Sequence, residues 1–198
     1  MTRFLLLRHA AHDKVGAYLA GRKPGVHLGG DGQAQARRLG ARLARAGIAF
    51  LGTSPRERAR ETAEAVSAAC GLPAAEEIEA LDEIDFGEWS GLDFEALDRD
   101  PRWRFWNEAR GLARTPAGER MIDVQARALG VLEAMDRRWR GRTVALVSHA
   151  DVIKAVVFHH LGIGLDAWWR LEVSPASITT LDVKAGRGCL TGLNERVD

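Results

Sequence analysis

A three-layer α/β/α sandwich around a mostly parallel sheet is the fold this sequence predicts, and three observations predict it. Two short segments, 4–7 and 143–147, are nearly uninterrupted apolar runs without polar alternation, as expected of strands covered on both faces. Between and after them lie stretches with helical apolar spacing, the clearest over 119–140, where Met121, Val124, Ala128, Val131, Leu132, Met135 and Trp139 recur on one face and the opposite face is charged. Strands alternating with helices of this length belong to a sheet with helices on both sides.

The elements follow in order. After the strand at 4–7, a helix should start behind Asp31, with Leu39 and Leu43 inward, and end at Gly47, where a left-handed cap costs glycine little. A weaker strand is expected over 48–52. Ser54-Pro55-Arg56-Glu57 then combines a serine N-cap, proline at the first helical position and glutamate at N3, which predicts a helix opening at Ser54 with a capping box. From about 91 to 118 the pattern changes: Trp103 and Trp106 sit among arginines and acids, punctuated by Pro101 and Pro116, with no strand signal. This reads as a short helical insertion capping one end of the sheet. The helix over 119–140 and the strand over 143–147 follow, then a helix over 151–161 stopped by Gly162 and a second weaker strand over 178–183. Trp103, Trp106, Trp168 and Trp169 are read as packing residues.

With 198 residues, 46% of them hydrophobic, and no repeat, low-complexity tract or linker, the chain is expected to be one domain over 1–198 with the cap inserted. Lysine and arginine total 28 against 27 acids, so the formal charge is +1, which argues against nucleic acid or an acidic membrane as a partner. Cys70 and Cys189 form neither a disulfide framework nor a metal-ligand pattern. The N-terminal apolar run is too short for a signal peptide, and a cytoplasmic protein, monomer or homodimer, is expected.

Both confident strands end alike. Leu7 gives way to Arg8-His9 and Val147 to Ser148-His149, and ligands of open α/β sheets bind at such carboxyl ends. Arg58, in the first turn of the helix after Ser54-Pro55, joins the same edge, where helix-end amides also favour an anion. Two arginines can hold a phosphomonoester bidentately, one neutral imidazole can attack phosphorus, and the other can stabilise the equatorial oxygens. The departing alkoxide needs a proton, and the loop Leu81-Asp82-Glu83-Ile84-Asp85-Phe86-Gly87-Glu88-Trp89-Ser90-Gly91 offers four carboxylates among which spacing does not choose. His9-Ala10-Ala11-His12 lacks zinc partners, and there is no cysteine-phosphatase loop, Gly-Lys-Ser/Thr loop or Gly-x-Ser-x-Gly elbow, so neither metal nor cofactor is expected.

These residues resemble the histidine phosphatase superfamily, also called phosphoglycerate mutase-like proteins. Leu5-Leu6-Leu7-Arg8-His9-Ala10 is similar to its Arg-His-Gly signature, and Leu28-Gly29-Gly30-Asp31-Gly32-Gln33-Ala34 to its Leu-Thr-x-x-Gly-x-Gln-Ala block. The likeness continues through Ser54-Pro55, Arg58 and Thr62-Ala63; through Leu81, Glu83, Gly87, Trp89 and Gly91; through Pro116, Gly118 and Glu119; and through Val147-Ser148-His149. The resemblance implies that His9 is the nucleophile and becomes a phosphohistidine, that Arg8, Arg58 and His149 complete the phosphate pocket, and that Glu83 is the proton donor. His12 and Arg22 join the candidate substrate-binding residues; the alternatives for them are a solvated loop histidine and a solvent-facing cation. The chain departs from the family at Ala10 and Ala150, where glycine is common, and at Ala11, His12 and Val15, where family side chains line the pocket. Alanine at 10 or 150 costs energy if either backbone needs a positive φ. The family's mutases carry longer insertions, so hydrolysis of a small phosphorylated metabolite is expected, with a phosphoglycerate-type mutase and a non-catalytic phosphate-binding regulator as the rival readings.

Overall fold

The computed structural model describes residues 1–13 and 16–197. Six strands form one sheet: β1 (Thr2–Arg8), β2 (Ile48–Thr53), β3 (Glu76–Glu77), β4 (Thr143–Ser148), β5 (Ile178–Lys184) and β6 (Arg187–Glu195), in the order β3-β2-β4-β1-β5-β6. β2 pairs parallel with β3 and β4, and β4 parallel with β1, whereas β5 runs antiparallel to both its neighbours. The sheet is therefore mixed and mostly parallel, the expected architecture.

The helices are α1 (Gly30–Leu43), α2 (Glu57–Cys70), α3 (Phe94–Asp98), α4 (Pro101–Glu108), α5 (Met121–Arg138) and α6 (Ala150–Leu161). Side chains of β1 divide between two cores: Phe4 and Leu6 pack with α5, α6 and the cap, while Leu5 and Leu7 pack with α1 and α2. Burial on both faces is why the strand carries no polar alternation. The insertion is helical as expected, with α3 and α4 capped by the Asp93 and Asp100 carboxylates and Pro101 at a helix start. Trp106 is fully buried and Trp89 lies edge-on to Trp103, so both cap tryptophans do pack; Trp169, at 66% exposure, does not.

Several sequence expectations need correction. α1 stops at Leu43, and Gly47, at φ +64, serves instead the turn into β2. No capping box opens α2: Arg56 occupies the N-cap position without a side-chain bond, because the Ser54 hydroxyl is drawn to His149. β3 is too short to show periodicity, and β6, an edge strand of alternately exposed polar residues, has no apolar run.

Close approach matters at Gly32 in α1. A Cβ there would lie 1.7 Å from the Ala11 carbonyl oxygen, so the chain that follows His9 is seated directly on this helix. Gly32→Ala should displace the 11–12 segment and cost about 1–3 kcal/mol in urea denaturation. The β5–β6 hairpin turns through Ala185 (φ 52) and Gly186 (φ 75), a turn that favours Asn-Gly. Ala185→Asn is expected to raise stability by about 0.5–1 kcal/mol, read as a higher thermal midpoint.

Candidate active site

Sheet register builds the site. β1 and β4 pair with Arg8 opposite Ser148, so His9 and His149 each lie one residue past the last rung, where the His9 amide donates to the Ser148 carbonyl at 2.9 Å. β2 pairs with β4 at Thr53 and Val147, and the Ser54 amide donates to the Val147 carbonyl at 2.9 Å, which sets Ser54 beside His149. α2 then delivers Arg58 from its first turn.

The two imidazoles stand 5.1 Å apart, centre to centre, with the Arg58 guanidinium against both. Arg58 Nε donates to His9 Nε2 at 3.2 Å, and Nη2 approaches His149 Nδ1 at 3.2 Å and donates to the Gly21 carbonyl at 2.9 Å. His9 Nδ1 lies 2.8 Å from the Ala10 carbonyl, which can only accept. The proton therefore sits on Nδ1, and Nε2 carries a lone pair into the pocket. Burial pushes both imidazole pKa values well below the ordinary histidine range, and the Arg58 and Arg8 charges push the same way. Arg8 enters from β1 with Nη1 donating to the Val173 carbonyl at 2.6 Å. Arg58 Nη1 and Arg8 Nε are buried donors without a partner among the described residues. Such donors call for an acceptor, and a tetrahedral oxyanion supplies several.

Glu83 faces this cluster, with Oε2 3.6 Å from His149 Nδ1. Burial, then the Asp151 charge, raises its carboxyl to about 7, so it is half protonated near neutrality. Its loop is fastened by its backbone. The Arg22 Nε and Arg127 Nη2 groups donate to the Glu83 carbonyl at 2.7 and 3.1 Å, and the Ser148 hydroxyl donates to the Leu81 carbonyl at 2.7 Å. Asp82, only 2% exposed, accepts from the Glu83 amide at 2.7 Å and pairs with Arg56 at 3.0 Å and Arg22 at 3.3 Å.

The structure thus brings Arg8, His9, Arg58, Glu83 and His149 together and corrects the expectation for Arg22. Its guanidinium is taken up by Glu83, Asp82 and Glu119 and holds the acid loop rather than reaching the pocket. His12 is half-buried, its ring 6.4 Å from that of His9; burial and the Arg58 and Arg8 charges lower its pKa to about 4, so it is not the solvated histidine of the alternative reading. Ala10 and Ala150 both lie outside the positive-φ region, so neither strains its histidine. Val15 lies outside the described residues. Sequence reading missed the support provided by Ser54, Asp82 and Arg127. Ser54 resembled an ordinary cap, and Arg127 lies off the apolar stripe of α5 with nothing local to distinguish it. Among the described residues no group of three or more histidine, cysteine or carboxylate side chains could hold a metal ion, and no helix is long and apolar enough to cross a membrane.

Comparison with known proteins gives the family. A sequence profile of the histidine phosphatase superfamily (branch 1) matches residues 4–196. The chain belongs to that superfamily. It is 30% identical over 198 residues to phosphoserine phosphatase 1 of Hydrogenobacter thermophilus, covering 98% of this chain and 92% of that one. Relatives from Mycobacterium tuberculosis are 34% identical over 93% of this chain, which spans 51% of their length. Among solved structures, YhfR of Bacillus stearothermophilus superposes with a TM-score of 0.91 at 31% identity, covering 98% of both chains. A mycobacterial glucosyl-3-phosphoglycerate phosphatase in complex with VO3 superposes with a TM-score of 0.87 at 28% identity, again covering 98% of both. These names support a phosphatase of the histidine phosphatase superfamily.

The raised pKa of Glu83 has a consequence for stability. Because the folded protein keeps its proton up to about 7 and the unfolded chain loses it near 4.5, the contribution is fully present below about 4.5 and is lost as pH rises through 7. Glu83→Gln is therefore expected to gain stability relative to wild type between pH 5 and pH 8, on the order of 2–3 kcal/mol, measured by urea denaturation at both values.

Proposed function

We propose that the protein is a metal-independent, cytoplasmic phosphomonoesterase that hydrolyses a small phosphorylated metabolite through a phosphohistidine on His9. The observation that carries this reading is the His9 Nε2 lone pair held against Arg58 Nε at 3.2 Å, with the imidazole kept neutral by burial and by two arginines. The phosphatase names of the relatives, phosphoserine phosphatase 1 among them, support hydrolysis.

Arg8 and Arg58 receive the phosphoryl oxygens on donors that the protein leaves unpaired. His9 Nε2 attacks phosphorus in line with the leaving oxygen; the N–P bond forms as the P–O bond breaks, and the Glu83 proton passes to the departing alkoxide. His149 Nδ1 faces the equatorial oxygens and donates to them once the ring is protonated, stabilising the charge that develops there. In the second step Glu83, now a carboxylate, takes a proton from water as that water attacks phosphorus. Phosphate leaves with both phosphoryl-transfer bonds exchanged, and His9 is restored.

The test is release of phosphate from an aryl phosphate and a panel of phosphorylated metabolites with chelator present. Wild type should turn over, His9→Ala should not, and rapid quenching should trap an acid-labile, alkali-stable phosphoprotein in wild type only. Equal activity in His9→Ala, or no turnover in wild type, would overturn the reading. The rate should fall about tenfold for each pH unit above 7 as Glu83 loses its proton. In the phosphorylation step, read as the first turnover after rapid mixing, Glu83→Gln should cost about 100- to 10,000-fold with an alkyl ester and much less with an aryl ester, whose leaving group needs no proton.

A further inference from the structure

Asp82 is a buried carboxylate for which the steps above have no use, and its contacts run toward both reacting ends of the site. The Arg58 guanidinium can only donate, so His149 Nδ1, 3.2 Å from Nη2, presents a lone pair and the ring proton lies on Nε2. Nε2–H donates to Ser54 Oγ at 2.8 Å. That oxygen also accepts from the Arg56 amide at 3.3 Å, which occupies its second lone pair and leaves its hydrogen to Asp82 Oδ1 at 3.4 Å. His149 Nε2 and Asp82 Oδ1 are 4.0 Å apart with the hydroxyl bridging them. His149 and Ser54 are fully buried, so the path lies away from bulk solvent.

We propose that Ser54 and Asp82 are positioning residues that act as a relay behind His149, fixing its tautomer and stabilising its charged form when the phosphoryl group reaches the transition state. This rests on the phosphatase reading given above. In the free protein the charges facing the ring are those of Arg58 on α2, Arg8 on β1 and Arg127 on α5, with His9 in front, all opposing an imidazolium, and Glu83 on the open side. As the anion enters and one proton is taken up from solvent, Nδ1–H points to a phosphoryl oxygen, Nε2–H stays on Ser54, and the Ser54 proton stays on Asp82. The Asp82 charge, already paired with Arg56 and Arg22, then also faces the imidazolium across one hydroxyl. Because Asp82 Oδ1 also holds the Glu83 amide, at 2.7 Å, the same carboxylate sets the acid relative to the ring.

Ser54→Ala removes the bridge and leaves every charge in place. The expected result, with an unchanged thermal midpoint, is a kcat lower by about 10- to 100-fold, the range for residues that orient a functional group from behind. KM and the inhibition constant of inorganic phosphate should stay within about threefold, while vanadate, closer to the transition state, should bind at least about tenfold more weakly. Asp82→Asn should lower kcat in wild type and by a smaller factor in the Ser54→Ala background, the remainder reporting its separate hold on the Glu83 amide. In ¹⁵N-histidine spectra of the vanadate-bound protein, His149 should carry protons on both nitrogens in wild type and on one in Ser54→Ala. A kcat within twofold of wild type, additive effects of the two substitutions, or identical His149 nitrogen signals would overturn the relay. The nitrogen signals need no turnover, so a wild type that binds vanadate but hydrolyses no ester would overturn the phosphatase reading and still decide the relay. Should Ser54→Ala not fold, Asp82→Asn carries the same nitrogen readout.

Discussion

Arg58 is a guanidinium with 1% of its surface exposed, wedged between two imidazoles, and no carboxylate among the described residues lies within ion-pair distance of it. Burying an unpaired cation costs several kcal/mol, and here the cost is offset only in part by the Gly21 carbonyl and two ring nitrogens. Much else in the site follows from that one charge. It holds His9 and His149 neutral, its Nε donates to the His9 lone pair, and its unpaired Nη1 makes an incoming dianion the natural way to satisfy it. A pocket that depresses imidazole protonation so strongly cannot also take its general acid from a histidine. The Glu83 carboxyl lies at the edge of the same field, and burial and Asp151 raise it to about 7.

The fold supports this arrangement with a second ring of charges. Arg22, Arg56 and Arg127 stand among Asp82, Asp85 and Glu119; the Arg22 and Arg127 guanidinium groups hold the loop by its carbonyls at Ala80 and Glu83, and Arg56 pairs with the Asp82 carboxylate. The backbone is pinned while, among the described residues, no lysine or arginine is in direct contact with the Glu83 side chain. A fastening by side-chain ion pair would have lowered its pKa and spoiled it as a donor. The cap is anchored in a comparable way: Arg110 pairs with Asp151 at 3.0 Å, and its guanidinium stacks 3.7 Å above the Trp168 ring. The carboxylate that helps keep Glu83 protonated is thus itself held from the cap.

Particular residues show how far the chain can be read unaided. His9 and His149 were legible because each ends a run whose doubly buried character leaves a one-dimensional trace, and their meeting follows from parallel pairing in register. Ser54 was visible and misassigned: a serine before proline three residues ahead of glutamate has the local pattern of a cap, and only the presence of a ring nitrogen 2.8 Å away shows its hydroxyl engaged elsewhere. Arg22 reads equally as a phosphate ligand or a solvent-facing cation, because a loop arginine carries no mark of its partner in the sequence. β6 escaped because an edge strand with one solvated face and two glycines buries too little to show a pattern.

By itself the sequence determined the layer architecture, the strand ends that bear the chemistry, and the likeness of its motifs to a superfamily, all of which depend on local apolar periodicity and short spacings. Tertiary structure decided the rest: which nitrogen of each histidine is free, which carboxyl is kept protonated, and which arginines face an anion and which face a loop. Those are properties of electrostatic fields and hydrogen-bond partners contributed by residues 28 to 95 positions apart, as between Asp82 and Ser54 or between Ser54 and His149. Apolar burial leaves its period in the chain. Charge complementarity in a buried site leaves none, because its distances are set only when the strands have paired.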